Sequence, residues 1–92
     1  MKDVSHGFMI ILNDRGLHCR PSMEIVKCAH HFKSEIFLNY KKNKVNAKSL
    51  LSVLMLAACK GAKIKIEAIG IDAEEAVSSL IDLAEQSFKI SY

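Results

Sequence analysis

The sequence predicts an α+β fold: a four-stranded antiparallel sheet carrying three helices on one face, in the order βαββαβα. Three observations predict it. Residues 62–68 place Ile64, Ile66 and Ala68 on one side and Lys63, Lys65 and Glu67 on the other, the pattern of a strand with one covered face. Three further stretches repeat apolar residues at helical spacing. Short apolar or alternating segments separate those stretches, an order suited to helices gathered on one side of an antiparallel sheet.

Each element has its own grounds. Phe8, Met9, Ile10, Ile11 and Leu12 form a continuous apolar run closed by Asn13, Asp14, Arg15 and Gly16, which predicts a buried strand and then a turn. Pro21 suits the first position of a helix, because its φ is already helical and its missing N–H would have no intrahelical partner there. That helix is expected over 21–32, packed by Ile25, Val26, Ala29 and Phe32, and ended by Ser34. Residues 35–40 alternate, Lys41, Lys42, Asn43 and Lys44 interrupt, and 45–47 resume, which predicts a hairpin. Residues 49–59 are almost wholly apolar, with Ser49 as N-cap and Gly61 as the stop, and predict a second helix. Its apolar surface forms two stripes, Val53, Leu56 and Ala57 against Leu50, Leu51, Leu54 and Met55, and periodicity does not choose which one faces the sheet. Asp72 and Glu75 fit a carboxylate capping box for a third helix to about Gln86, with Ala76, Val77, Leu80, Ile81 and Ala84 as its stripe.

Ninety-two residues predict a single domain, 1–92. A formal charge of +3 is too small by itself to indicate nucleic acid, yet it can steer the chain towards an acidic protein surface. Three cysteines without paired spacing argue against a disulfide framework and for a reducing compartment. No cleavable leader and no apolar run of roughly 20 residues is read in the chain, so a cytoplasmic protein without membrane insertion is expected.

The chemistry concentrates at Gly16, Leu17, His18, Cys19, Arg20 and Pro21. A histidine at the mouth of a helix faces backbone N–H groups and the positive end of the helix dipole, a natural place for a phosphate. The neutral imidazole supplies a lone pair for attack on phosphorus, and the Arg20 guanidinium suits phosphoryl oxygens. A phosphoryl-accepting histidine is the resulting expectation.

Gly16 to Ser22, together with Ala47, Lys48, Ser49, Leu50 and Leu51 and the later Lys60, Gly61 and Ala62, resembles HPr, the histidine-containing phosphocarrier family of the bacterial phosphotransferase system. The likeness runs from about Phe8 to Phe88. It implies an open-faced β-sandwich and a carrier, not an enzyme in its own right, that takes phosphate from enzyme I and passes it to enzyme IIA domains. His18 is then the residue phosphorylated on Nδ1, Arg20 its electrostatic partner, and the stripe of Leu50, Leu51, Leu54 and Met55 a docking surface beside the site. Arg15 and Lys27 add positive charge for an acidic partner. Ser49 matches the serine modified in members controlled by HPr kinase/phosphorylase. The sequence departs from the common family pattern at Arg15, Cys19 and Ser22, and none of these removes a required group. The expected protein is a monomer that needs no cofactor or metal.

Adjacent His30 and His31 point about 100° apart on a helix, so they are read as solvent-facing and not as metal ligands. His6 has no ligand partner at useful spacing. Two rival readings remain: a regulatory module acting through phosphorylated Ser49 without sugar transport, and a small RNA-binding module. The second requires aromatic residues among the basic ones on the open sheet face, and Lys63, Lys65 and Glu67 supply none.

Overall fold

The computed structural model describes residues 3–89. The ends of the expected 1–92 domain, Met1, Lys2 and residues 90–92, lie outside the described residues. Along the chain come β1 (Val4–Ile10), α1 (Cys19–His30), β2 (Glu35–Tyr40), β3 (Asn43–Asn46), α2 (Leu50–Met55), β4 (Lys63–Ile69) and α3 (Ala73–Glu85), then a 3₁₀ turn at Ser87–Lys89. The sheet runs β1-β4-β2-β3, and every neighbouring pair is antiparallel. This is the α+β open-faced sandwich with the predicted βαββαβα order.

The core lies between the sheet and the helices. Met9, Ile36, Leu38, Ile64, Ile66 and Ala68 from the strands meet Ile25 and Ala29 of α1, Val53 of α2, and Ala76, Leu80 and Ala84 of α3, all of them buried. Gly7 makes the β1–α3 packing possible, because a Cβ there would run into Val77 and Ile81 at 2.6 and 2.8 Å. β4 follows its sequence pattern, with Ile64, Ile66 and Ala68 inward and Lys63 and Lys65 exposed.

Several boundaries differ from the expectation, each for a local reason. β1 starts at Val4, and it is not buried on both sides: Met9 and Ile11 face the core while Phe8, Ile10 and Leu12 face outward, since the sheet is covered on one side only. α1 begins at Cys19, which makes Pro21 its third residue. That position still precedes the first intrahelical bond, made by Ser22 N–H to the His18 carbonyl at 3.1 Å, so the missing N–H costs nothing. α1 ends at His30, ahead of Phe32. In the hairpin Tyr40 pairs with Asn43, so Lys41 and Lys42 alone make the turn, with Lys41 at φ 56.

α2 stops at Met55. Ala57 takes a left-handed φ of 50, which ends the helix four residues before Gly61, and Ala57 is exposed and so leaves the core stripe. Gly61 instead turns the chain into β4, its N–H donating to the Ile11 carbonyl at 2.7 Å. Asp72 precedes α3, but no capping box forms there. Its carboxylate accepts the backbone N–H groups of Lys33 and Ser34, each at 2.9 Å, and the Ser34 hydroxyl, joining the start of α3 to the segment after α1.

Candidate functional site

β1 delivers the chain to one end of the sheet, where Asn13 to Gly16 form a turn closed by Gly16 N–H to the Asn13 carbonyl at 3.0 Å. Gly16 has φ 66, and a Cβ there would strike the Ala58 carbonyl oxygen. The backbone can therefore lie against the loop after α2, and Leu17 N–H donates to that same carbonyl at 2.9 Å. His18 N–H turns back to the Gly16 carbonyl at 3.0 Å, and His18 is the N-cap of α1 with extended backbone (φ −81, ψ −170). Its side chain is half-buried, and Nε2 has essentially no exposed surface.

The N–H groups of Cys19 and Arg20 head the helix axis, ahead of the first intrahelical bond. Buried Pro21 and Ser22 anchor that turn, and the Ser22 hydroxyl donates to the Leu17 carbonyl at 3.3 Å. Arg15, Cys19 and Arg20 are exposed around the histidine. Lys60 reaches Asp14 at 2.8 Å, and its ammonium holds that carboxyl below the usual carboxylate range. The arrangement combines an imidazole with amide donors and guanidinium groups, a set able to hold a phosphoryl group.

At α2, the Ser49 hydroxyl accepts the Ser52 N–H at 3.4 Å, which makes Ser49 the N-cap. Val53 and Leu56 are buried, so the other stripe points outward: Leu51 and Met55 are 70% and 73% exposed, with Leu50 and Leu54 at its margin. Met23 on α1 is a further exposed apolar residue, which the helical stripe of α1 did not single out. Lys27 stands apart from this stripe. It pairs with Glu24 at 3.3 Å and lines a groove of about 400 Å³ between α1 and α3.

Of the residues set aside, His30 and His31 are both exposed, and His30 Nε2 lies 3.1 Å from the Lys48 carbonyl. His6 makes a hydrogen-bonding contact and no metal cluster: its Nε2 lies 3.2 Å from Glu67, which also pairs with Lys44 at 2.8 Å, and among the described residues no group of three or more His, Cys, Asp or Glu could hold a metal ion. Hydrogen bonds from Lys44 and then His6 hold the Glu67 carboxyl below its ordinary range. Contrary to the expectation from Lys63, Lys65 and Glu67, the open face carries aromatic residues among its lysines. Phe8 and Phe37 do stand on the open face, under Lys63 and Lys44 at 4.5 and 4.6 Å, but on strands other than β4. One residue at the site left no signal of its role: Asn13 is buried and donates through Nδ2 to the Ser87 carbonyl at 2.9 Å.

Residues 8–86 match the family profile described as the PTS HPr component phosphorylation site. The chain is 41% identical over 78 residues to the phosphocarrier protein HPr of Neisseria meningitidis, covering 85% of this chain and 88% of that one. Among solved structures it is similar to HPr-C-His from Thermoanaerobacter tengcongensis, with a TM-score of 0.90 and 36% identity over 96% of this chain and 99% of that chain. It is also similar to Crh, the Bacillus subtilis catabolite repression containing protein, a swapped dimer in its crystal, with a TM-score of 0.73 and 34% identity over 80% and 85% of the two chains.

Proposed function

Because this chain belongs to the HPr family of phosphocarriers of the phosphotransferase system, we propose that it accepts a phosphoryl group on Nδ1 of His18 from enzyme I and hands it to enzyme IIA domains. The observation that carries this reading is the setting of His18. Nε2 of His18 has essentially no exposed surface, and the imidazole stands at the start of α1, close in sequence to exposed Arg15 and Arg20. The neutral imidazole forms the new N–P bond as the bond to the donor breaks. The amides of Cys19 and Arg20 and the Arg20 guanidinium then face the phosphoryl oxygens.

Phosphoryl transfer depends on positioning, and a half-exposed histidine gives little of that alone. The partners supply it, docking on Leu50, Leu51, Leu54 and Met55, with Arg15 meeting acidic groups. The protein acts as a monomer in the cytoplasm; among the described residues no helix is long and apolar enough to cross a membrane. Incubation with enzyme I and phosphoenolpyruvate tests the carrier role. The wild type gains an acid-labile phosphate that an enzyme IIA domain removes, and His18→Ala gains none. A wild type that stays unphosphorylated overturns it.

A second, regulatory reading rests on Ser49. Its hydroxyl opens α2 directly before Leu50 and Leu51, so a phosphate added there by HPr kinase/phosphorylase sits at a helix N-terminus, where the dipole tolerates it, and places negative charge on the docking surface. Ser49→Asp then raises the KM for enzyme I.

A further inference from the structure

The continuous apolar run at the end of β1 predicts burial, yet the fold leaves half of it uncovered. Phe8, Ile10 and Leu12 are 51%, 43% and 47% exposed and project from the open side of the sheet, against the apolar-in, polar-out rule for a sheet with one wet face. Lysines form the adjacent row: Ile10 is in register with Lys63 and Phe8 with Lys65, and Lys63 also lies over the Phe8 ring. Lys65 is in register with Asn39 near the hairpin tip, where Lys41 and Lys42 are exposed. Glu67, the acid nearest the middle of this face, is already paired with the Lys44 ammonium at 2.8 Å and lies 3.2 Å from His6 Nε2.

We propose that this face is a peripheral docking surface for an anionic lipid bilayer. Phe8, Ile10 and Leu12 enter the headgroup–acyl boundary, and Lys63 and Lys65, with the hairpin lysines, meet lipid phosphates. A bilayer surface, apolar at its depth and anionic at its rim, complements a sheet face that carries an apolar row beside a basic row. A second copy of the chain would set lysines against lysines. A nucleic-acid strand could stack on Phe8 and Phe37 but would leave Ile10 and Leu12 in water. Docked this way, the protein keeps its helices on the side away from the membrane.

Co-sedimentation of the full chain with vesicles tests the proposal. The protein binds vesicles containing phosphatidylglycerol, does not bind pure phosphatidylcholine, and is released by salt. Lys63→Gln and Lys65→Gln each weaken binding about fivefold. The double variant Phe8→Ser, Ile10→Ser abolishes binding with its circular dichroism unchanged, while Leu51→Ser on the helix side binds as the wild type does. Absence of binding to anionic vesicles overturns the proposal. So does binding that Phe8→Ser, Phe8→Ser with Ile10→Ser, and the lysine variants all leave unchanged. Retention of polyglutamate or polyuridylate in place of vesicles, lost in the same variants, overturns it too and gives the face to an acidic protein or to nucleic acid.

Discussion

Asn13 Nδ2 donates to the Ser87 carbonyl at 2.9 Å, joining residues 74 positions apart. One end of this bond is the root of the turn that carries His18; the other is the turn after α3, where Ser87 and Phe88 take φ of 52 and 56 and Phe88 is wholly buried. Asn13→Ala leaves the carbonyl of half-buried Ser87 without that donor and removes a buried side chain. It should lower stability by about 1–3 kcal/mol, read from urea denaturation. An unchanged midpoint would show that the tie contributes nothing.

Gly16 and Gly61 both have positive φ, 66 and 88, but only at Gly16 would a Cβ meet the chain, at the Ala58 carbonyl and the Cys59 Cα; at Gly61 nothing lies within 4 Å. Gly61→Ala should cost about 1–2 kcal/mol, the left-handed penalty alone. Gly16→Ala should cost more, because the loop after α2 must also move, and with it the carbonyl that holds Leu17. Equal losses in the two variants contradict that distinction.

Acid should weaken the fold through Asp72 and Glu67. The Ser34 hydroxyl and the Lys33 and Ser34 amides hold Asp72 below its ordinary 3.8, and Lys44 with His6 holds Glu67 below 4.5. A carboxylate whose folded pKa is depressed gives stability that is whole above its unfolded value and is lost as pH falls through the folded one. Stability should therefore decline below about pH 4, and Asp72→Asn should be less stable at neutral pH and less sensitive to acid. Urea midpoints along a pH series that fall equally in wild type and Asp72→Asn count against this role.

Ser49→Ala removes the acceptor of the Ser52 N–H and should cost about 1 kcal/mol. Ser49→Asp keeps an acceptor and a favourable charge at the start of α2, so its thermal midpoint should stay near that of the wild type. The separation matters for the regulatory reading, since slow phosphorylation of Ser49→Asp then reports lost docking and not lost structure.

Much of this was legible in the sequence because local patterns coincide with the tertiary environment. The alternation at Lys63 to Glu67 and the stripe from Ala76 to Ala84 were read correctly, since in both the sequence period and the covered face agree. The end of α2 was not legible: Ala57 is a good helix former, and its left-handed turn stands beside a bond from Leu17 N–H to the Ala58 carbonyl, a partner far off in sequence. Asp72 was read as a local cap because its bonds to Lys33 and Ser34 cross 39 and 38 residues. Gly16, His18 and Arg20 could be placed from sequence, as they are near neighbours in the chain. Asn13 could not, as its partner lies 74 residues away. Phe37 shares the open face with Lys44 through strand pairing, which periodicity within a single strand does not reveal.

The chain has four histidines, His6, His18, His30 and His31, and the central claim singles out one nitrogen of one of them. The most direct test is ¹⁵N NMR of the histidine-labelled protein after phosphorylation by enzyme I and phosphoenolpyruvate. The account predicts a single phosphorylated nitrogen, Nδ1 of His18, with the other three imidazoles unmodified. Phosphate on His18 Nε2, or on His6, His30 or His31 with His18 unmodified, would contradict it.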